Sequence, residues 1–207
     1  DVFVEHRKPA SIQLEDNKIE KIFTGIDSGV GIRLISNNKT FYAISNDMSE
    51  KALLELADTL TKASTSSKKD ITLDLRKQKP GVDFNIKLLP ANVPMDKKIE
   101  LVRSANRAAR DFDKRIQQVI VMYRDSVQKV QIATSDGIIA EDERIHTLMA
   151  VHVIASDKGI IQTGYEPAGG FIGFELFENS RPEELAVKAA KRAVMMLTAR
   201  RAPGGRM

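Results

Sequence analysis

Apolar and polar positions alternate at a spacing of two along much of the chain, and the spacing changes to a helical one in three places. Ile12 and Leu14 alternate with Gln13 and Glu15, the period of a half-buried strand. A short strand over Val2 to Glu5 precedes them, and Asp16-Asn17 supplies turn chemistry after them. A second strand runs from Ile19 to Thr24. Asp27-Ser28-Gly29 then predicts a tight reversal with Gly29 at positive φ. Beyond it Val30, Ile32 and Leu34 point one way and Gly31 and Arg33 the other. Asn37-Asn38 is the next reversal, and Thr40 to Ile44 is the returning strand.

Asp47 and Glu50 have capping-box spacing, and Leu53, Leu56, Ala57 and Leu60 follow at helical spacing, which predicts a helix of about three to four turns lying on the sheet. Ala63 to Asp70 has no apolar period and reads as a linker. Ile71 to Leu75 reads as a strand, and the three prolines between Lys77 and Pro94 indicate an extended connection. Asp96 starts a second helix with an apolar stripe of Ile99, Val102, Ala105, Ala109 and Phe112. Its Lys97, Arg103, Arg107 and Arg110 are expected to face water.

Strands follow at Gln118 to Tyr123, Val127 to Thr134, Arg144 to Ala155, Ile160 to Tyr165 and Phe171 to Phe177. Arg-Asp-Ser, Ser-Asp-Gly, Ser-Asp-Lys-Gly and Pro-Ala-Gly-Gly turns are expected between them. Ser180 and Glu183 suggest another capping box with Pro182 in the first turn. Leu185, Ala189, Ala193 and Met196 carry an Ala-rich helix towards Arg200-Arg201, where basic residues suit the helix dipole.

The pattern predicts an α+β protein of two modules, each an antiparallel sheet with packed helices. The similar order of strands and turns suggests a duplication, with Ile35 to Lys39 equivalent to Ile154 to Lys158. The expected partition is residues 1–66 for the first module, 67–94 for the connection and 95–202 for the second module, with 203–207 opening a further region.

Hydrophobic residues make up 42% of the 207 residues and charged ones 29%, ordinary proportions for a soluble globular protein. No apolar run approaches the roughly 20 residues of a membrane helix and no basic-then-apolar leader opens the chain. A cytosolic, membrane-free location is therefore expected, consistent with zero cysteines. The net charge of +4 is small beside 32 basic and 28 acidic residues, and aromatics are only 5%. That balance argues against a nucleic-acid binder, which concentrates basic residues and interleaves aromatics.

His6, His146 and His152 are the histidines. His146 and His152 share one face of a predicted strand, but six positions at about 3.3 Å each place them roughly 20 Å apart, too far for one ion. Asp142, Glu143 and His146 form a tight acid/His cluster. Thr147 points to the opposite face from His146, so the cluster reads as a surface ion pair. Gly169-Gly170 and Gly204-Gly205 lack the spaced pattern of a phosphate cradle. Gly169, Gly170 and Gly173 either admit a close backbone approach or form a turn and a bulge. Met195-Met196 reads as adaptable core packing.

Leu14 to Ile35 (LEDNKIEKIFTGIDSGVGIRLI), Thr134 to Gly164 (TSDGIIAEDERIHTLMAVHVIASDKGIIQTG), Glu166 to Phe177 (EPAGGFIGFELF) and Ala199 to Met207 (ARRAPGGRM) resemble, in order, the TldD/PmbA family. Its members were once described as modulators of DNA gyrase and are regarded as metallopeptidases. The likeness is to the metal-carrying, TldD-type branch. It implies a zinc enzyme acting on unfolded or extended peptides beside a PmbA/TldE-type subunit or a second copy. The family's H-E-x-x-x-H motif follows the position matched by Met207, so no catalytic or metal-ligating residue is assigned within these 207 residues, and the chain alone is expected to be inactive. By the same resemblance this region shapes the peptide cleft, with Tyr165, Gly169, Gly170, Phe171 and Gly173 as candidate cleft residues. The competing class is a non-catalytic interaction module that recruits a partner through a strand edge.

Overall fold

The computed structural model describes residues 1–64, 73–79, 81–200 and 204–205. Most of the expected linker at Ala63 to Asp70, the start of the expected strand at Ile71, and most of the 203–207 segment lie outside them. Strand β1 (Val2–Glu15) absorbs both the short first strand and the Ile12/Leu14 run. Asp16 and Asn17, at φ 46° and 67°, make the two-residue hairpin turn whose handedness matches strand twist. They lead into β2 (Lys18–Thr24), paired antiparallel with a register shift between Gln13 and Leu14.

The next reversal differs from expectation. Residues Asp27–Ser36 are all strand, β3, and Gly29 is not among the glycines at positive φ. No reversal occurs: β3 continues β2 along β1 in one register, Ala10↔Thr24 and then Arg7↔Asp27, and the Gly25 N–H donates to the Pro9 carbonyl at 3.2 Å in the same ladder. Gly29 instead pairs with Glu5, and a Cβ there would press on the Ser45 carbonyl at 3.1 Å. Asn37 and Asn38, both at positive φ, close the hairpin to β4 (Lys39–Ser45) as anticipated.

Helix α1 (Glu50–Ser64) follows, but Ser49 rather than Asp47 caps it. The Ser49 hydroxyl accepts the Ala52 N–H at 3.3 Å, and Asp47 Oδ1 accepts the Ser49 N–H at 2.9 Å. Strand β5 is shorter and later than expected, Arg76–Gln78. A 3-10 turn at Pro90–Asn92 precedes α2 (Met95–Phe112).

Two predicted turns prove to be strand interior. Arg124-Asp125-Ser126 lies inside β6 (Ile116–Thr134), and Pro167-Ala168-Gly169-Gly170 ends β8 (Ile160–Gly170). Turn-rich composition yields there to long-range pairing: β8 keeps continuous register with β7 (Ile138–Asp157) from Asp157↔Ile160 to Thr147↔Gly170. Phe171 to Phe177 is no strand but a loop entering the short helix α3 (Leu176–Asn179). Helix α4 (Pro182–Met196) has Pro182 in its first turn as expected, yet its N-cap is Arg181 and no side chain caps it.

The chain forms two compact units, Asp1–Pro9, Gly25–Phe84 and Val127–Arg144 in one, Ala10–Thr24, Asn85–Ser126 and Ile145–Met207 in the other. In the first unit the strand order is β4-β3-β1-β6-β7-β5, and α1 packs on β3 and β4. The β1–β3 and β3–β4 pairs there are antiparallel, and β5 pairs with β7 in parallel. In the second unit β2 flanks β1 and β8 flanks β7, with β6 between. β3 pairs with β4 and β7 with β8, each as an antiparallel hairpin.

The second unit holds the continuous core. Alternation sends Ile12 and Leu14 of β1, Val119, Val121 and Tyr123 of β6, and Met149, Val151 and Val153 of β7 to one sheet face. Val102, Ala105 and Ala109 of α2 and Leu185, Ala186, Ala189 and Ala193 of α4 cover that face. Each fully buried Val, Leu or Ile contributes about 1.5–3 kcal/mol. The alanines let α4 approach so closely that a Cβ at Gly164 of β8 would run into the Ala189 carbonyl. Arg103 and Arg107 face water as expected, while Arg110 reaches Asp16 Oδ1 at 2.8 Å. Lys98, in the same helix, is buried against Asp125, with Nζ to Oδ2 at 2.6 Å.

Candidate functional site

Because β7 sends Thr147, Met149, Val151 and Val153 into the core, its intervening residues His146, Leu148, Ala150 and His152 line the other sheet face. On this face Ala150 is buried, at 1% exposure, and His146, Leu148 and His152 are half-buried. Register places Tyr165 of β8 beside His152 and Pro167 beside Ala150. The His152 and Tyr165 rings meet edge-on at 6.4 Å, and His146 meets Phe171 in the same way at 5.7 Å. Tyr165 and Phe171 keep about half their surface exposed, 47% and 51%. Each histidine thus backs one exposed aromatic ring.

The candidate glycines divide. A Cβ at Gly169 would meet Leu148 Cδ1 and the Thr147 carbonyl at 2.7 and 2.8 Å, so this glycine does admit a close strand approach. Gly170 has open space beside it. At Gly173 a Cβ would collide with the Leu88 carbonyl and Glu175 Oε2. Neither Gly169 nor Gly170 forms a turn or a bulge, since the ladder runs through both unbroken.

Glu175 fixes the loop that carries Phe171 and Gly173. Its buried carboxylate accepts the Lys87 N–H at 3.1 Å, the Leu88 N–H at 2.9 Å and the Gly173 N–H at 3.2 Å, and the Phe174 N–H donates to the Leu88 carbonyl at 2.7 Å. Burial alone would push this carboxyl up, yet the N–H groups of Lys87, Glu175 itself, Leu88 and Gly173 outweigh it and hold the group below the ordinary glutamate range. Phe174 and Phe177 then clasp Tyr123 at 6.2 and 6.0 Å. The sequence held one overlooked signal for Glu175, a lone acid within the aromatic and glycine run FIGFELF.

Tyr123, Asp125 and Lys98 form a buried polar triad under this loop. Asp125 Oδ2 accepts the Tyr123 hydroxyl at 2.7 Å as well as Lys98 Nζ. Desolvation, then the Asp125 charge, raises the Tyr123 phenol far above its usual range, so it stays protonated and donates. Thr147 is buried in the core, facing away from His146 as expected, and its hydroxyl has no partner.

In the first unit an open cavity of about 510 Å³ is lined by His6, Lys129, Gln131, Glu141, Asp142 and Glu143. Its charges are paired internally: Lys77 with Glu141 at 2.7 Å, Lys129 with Glu143 at 3.2 Å, Arg144 with Asp142 at 2.6 Å. His6 Nδ1 lies 2.6 Å from Ser28 Oγ. Asp142 and Glu143 do form surface ion pairs, but with Arg144 and Lys129, and His146, expected in the same cluster, packs on Phe171 instead. Among the described residues no three His, Cys, Asp or Glu converge to hold a metal, so these side chains do not fit a zinc centre. Met195 and Met196 are largely exposed rather than core. Among the described residues no helix is long and apolar enough to cross a membrane.

Residues 1–64 match the PmbA/TldA metallopeptidase domain 1, and residues 88–197 match the PmbA/TldA metallopeptidase central domain. A metalloprotease of Methanocaldococcus jannaschii is 28% identical over the whole chain, which covers 46% of that protein. A metalloprotease TldD homolog of Haemophilus influenzae is 26% identical, again over the whole chain and 44% of its own length. The chain therefore spans less than half the length of these relatives. Among solved structures, a candidate modulator of DNA gyrase from Thermotoga maritima superimposes with TM-score 0.79 at 18% identity, over 99% of this chain and 46% of its own. TldE from Thermococcus kodakarensis does so with TM-score 0.63 at 14% identity, over 93% and 44%. With more than half of its residues matched by the central domain and a further block by domain 1, the chain belongs to the PmbA/TldD metallopeptidase family.

Proposed function

We propose that this chain is the cleft-forming and partner-binding part of a TldD-type zinc metallopeptidase that acts on unfolded or extended peptides in the cytoplasm. The observation that carries the reading is the exposed aromatic rim of Tyr165 and Phe171, backed by His152 and His146, in a chain whose relatives are named metalloproteases. A sheet face with such a rim can hold an extended backbone while two aromatic edges grip apolar side chains. Gly169 keeps the floor low between the rims, and the Glu175 clamp holds Phe171 and Gly173 in place.

The residues described here do not fit a zinc site, so the ligands and the base belong to sequence other than these. In this reading the chain binds and orients peptide and does not itself activate water. The matches to residues 1–64 and 88–197 support two ancestral modules joined through 67–94. The likeness to TldE supports pairing with a PmbA/TldE-type subunit or a second copy.

Peptide hydrolysis by a longer product, tested with and without a homologous subunit and with and without chelator, checks this reading. Chelator-sensitive cleavage that loses affinity for peptide on Phe171→Ala, with kcat little changed, is expected. An active enzyme whose KM ignores both Phe171→Ala and Tyr165→Ala would overturn the cleft assignment.

A further inference from the structure

Each free strand edge carries a row of unpaired N–H and C=O groups that invites another strand, and proteins blunt such edges with charge, proline, bulges or brevity. Among the described residues, three of the four edges are blunted. β2 carries Lys18, Glu20 and Lys21 and faces a register irregularity at Gln13/Leu14. β5 is three residues long and bears Arg76 and Lys77. On β8, Arg192 donates to the Tyr165 carbonyl and pairs with Glu166 at 3.0 Å. The capped carbonyl marks Tyr165 as facing outward, so Pro167, two residues on, removes the next outward N–H.

β4 carries only one of these devices, the charge of Lys39 at its turn end. From Thr40 to Ser45 it reads Thr-Phe-Tyr-Ala-Ile-Ser, without charge or proline, and it ends the strand order of its unit. The Asn37-Asn38 hairpin makes Ser36↔Lys39 the pair that closes the turn, so the N–H and C=O groups of Thr40, Tyr42 and Ile44 point away from β3. Tyr42 and Ile44 are also 60% and 71% exposed on the face opposite α1.

We infer that the β4 edge is a self-pairing surface, on which a second copy of this chain adds its own β4 antiparallel about a two-fold axis at Tyr42. The strand is complementary to itself in that register. Tyr42 meets its symmetry mate, Thr40 meets Ile44, and the exposed Lys39 meets Ser45 with the Asp47 carboxylate diagonally beyond. That places opposite charges within reach and no like charges face to face. The Ser49 backbone N–H, and then its hydroxyl, hold the Asp47 carboxyl below its usual range, so it is ionised at neutral pH. A closed two-fold pairing also ends growth of the sheet, which an open edge does not. The inference takes from the proposed function only that subunits pair. A protein that stays monomeric yet cleaves peptides would remove it and leave the peptidase reading standing.

Sedimentation of the full-length protein and of its Tyr42→Pro and Tyr42→Lys variants tests this. The first variant deletes an outward N–H without touching the β3 ladder, and the second sets two ammonium groups against each other. A dimer whose Kd rises about tenfold or more in both variants is expected, with an unchanged circular dichroism spectrum. If Tyr42→Pro unfolds, Tyr42→Lys decides. In a background free of other cysteines, Tyr42→Cys should cross-link copy to copy on mild oxidation while Ile35→Cys does not. A wild-type monomer at high micromolar concentration, a dimer indifferent to Tyr42→Lys, or no cross-link at position 42 would each overturn the inference.

Discussion

Lys98 Nζ and Asp125 Oδ2 lie 2.6 Å apart with only 4% and 7% of the two residues exposed, and the Lys98 ammonium also sits 5.4 Å from the Tyr123 ring centroid. Removing one charge leaves the other buried without its partner, which costs about 3–5 kcal/mol. Lys98→Met should therefore destabilise by that order. Lys98→Met combined with Asp125→Asn should cost clearly less than the sum of the two single changes. Urea midpoints of the four proteins give the coupling directly, and additive losses would mean the pair acts as two independent groups.

Gly169→Ala and Gly170→Ala should behave differently although the residues are neighbours. The first forces a Cβ onto the Thr147 carbonyl and Leu148, whereas the second meets open space. Overpacking of the first kind costs about 1–3 kcal/mol, while the second should stay within about 0.5 kcal/mol, as surface changes do. Thermal midpoints of the two variants, measured together, check the contrast.

The Glu175 clamp predicts a pH dependence of known sign. Its folded-state carboxyl titrates below the ordinary value of 4.5, so its contribution is complete above that value and is lost as pH falls through the lowered folded one. Wild type should exceed Glu175→Gln in stability at neutral pH, and the gap should narrow as pH drops from about 5 towards 3. Proteolysis near Lys87 and Leu88 should rise in the variant, because the strap loses two of its anchors. A gap that is constant with pH would show that the carboxylate charge is not what holds the loop.

Elements governed by local chemistry were legible in the sequence. Asn37-Asn38 and Asp16-Asn17 adopt positive φ where the turn residues indicate it, and the stripes on α1, α2 and α4 follow helical spacing except at Phe112 and Met196, which are exposed at the helix ends. What escaped was set by partners distant in sequence. Asp125 looks like a turn residue until Lys98, 27 positions away, neutralises it inside a strand. Pro167 through Gly170 looks like a loop until β7 pairs with it. Gly29 looks like a reversal, but the crowding that calls for glycine comes from Ser45. In the candidate site, Tyr165, Phe171 and the glycines came from the family likeness. Glu175 could not be assigned, because its three backbone donors lie in two separate segments.

The cleft assignment is tested most directly by photo-cross-linking from its rim. With a benzophenone side chain placed singly at Phe171, at Tyr165 or at the exposed Ile26 of the other unit, the full-length enzyme is irradiated beside an unstructured peptide. Peptide adducts at positions 171 and 165, competed away by unlabelled peptide and absent at 26, are the predicted result. Equal labelling at all three positions, or none at 171 and 165 in an enzyme that still cleaves the peptide, would contradict the account.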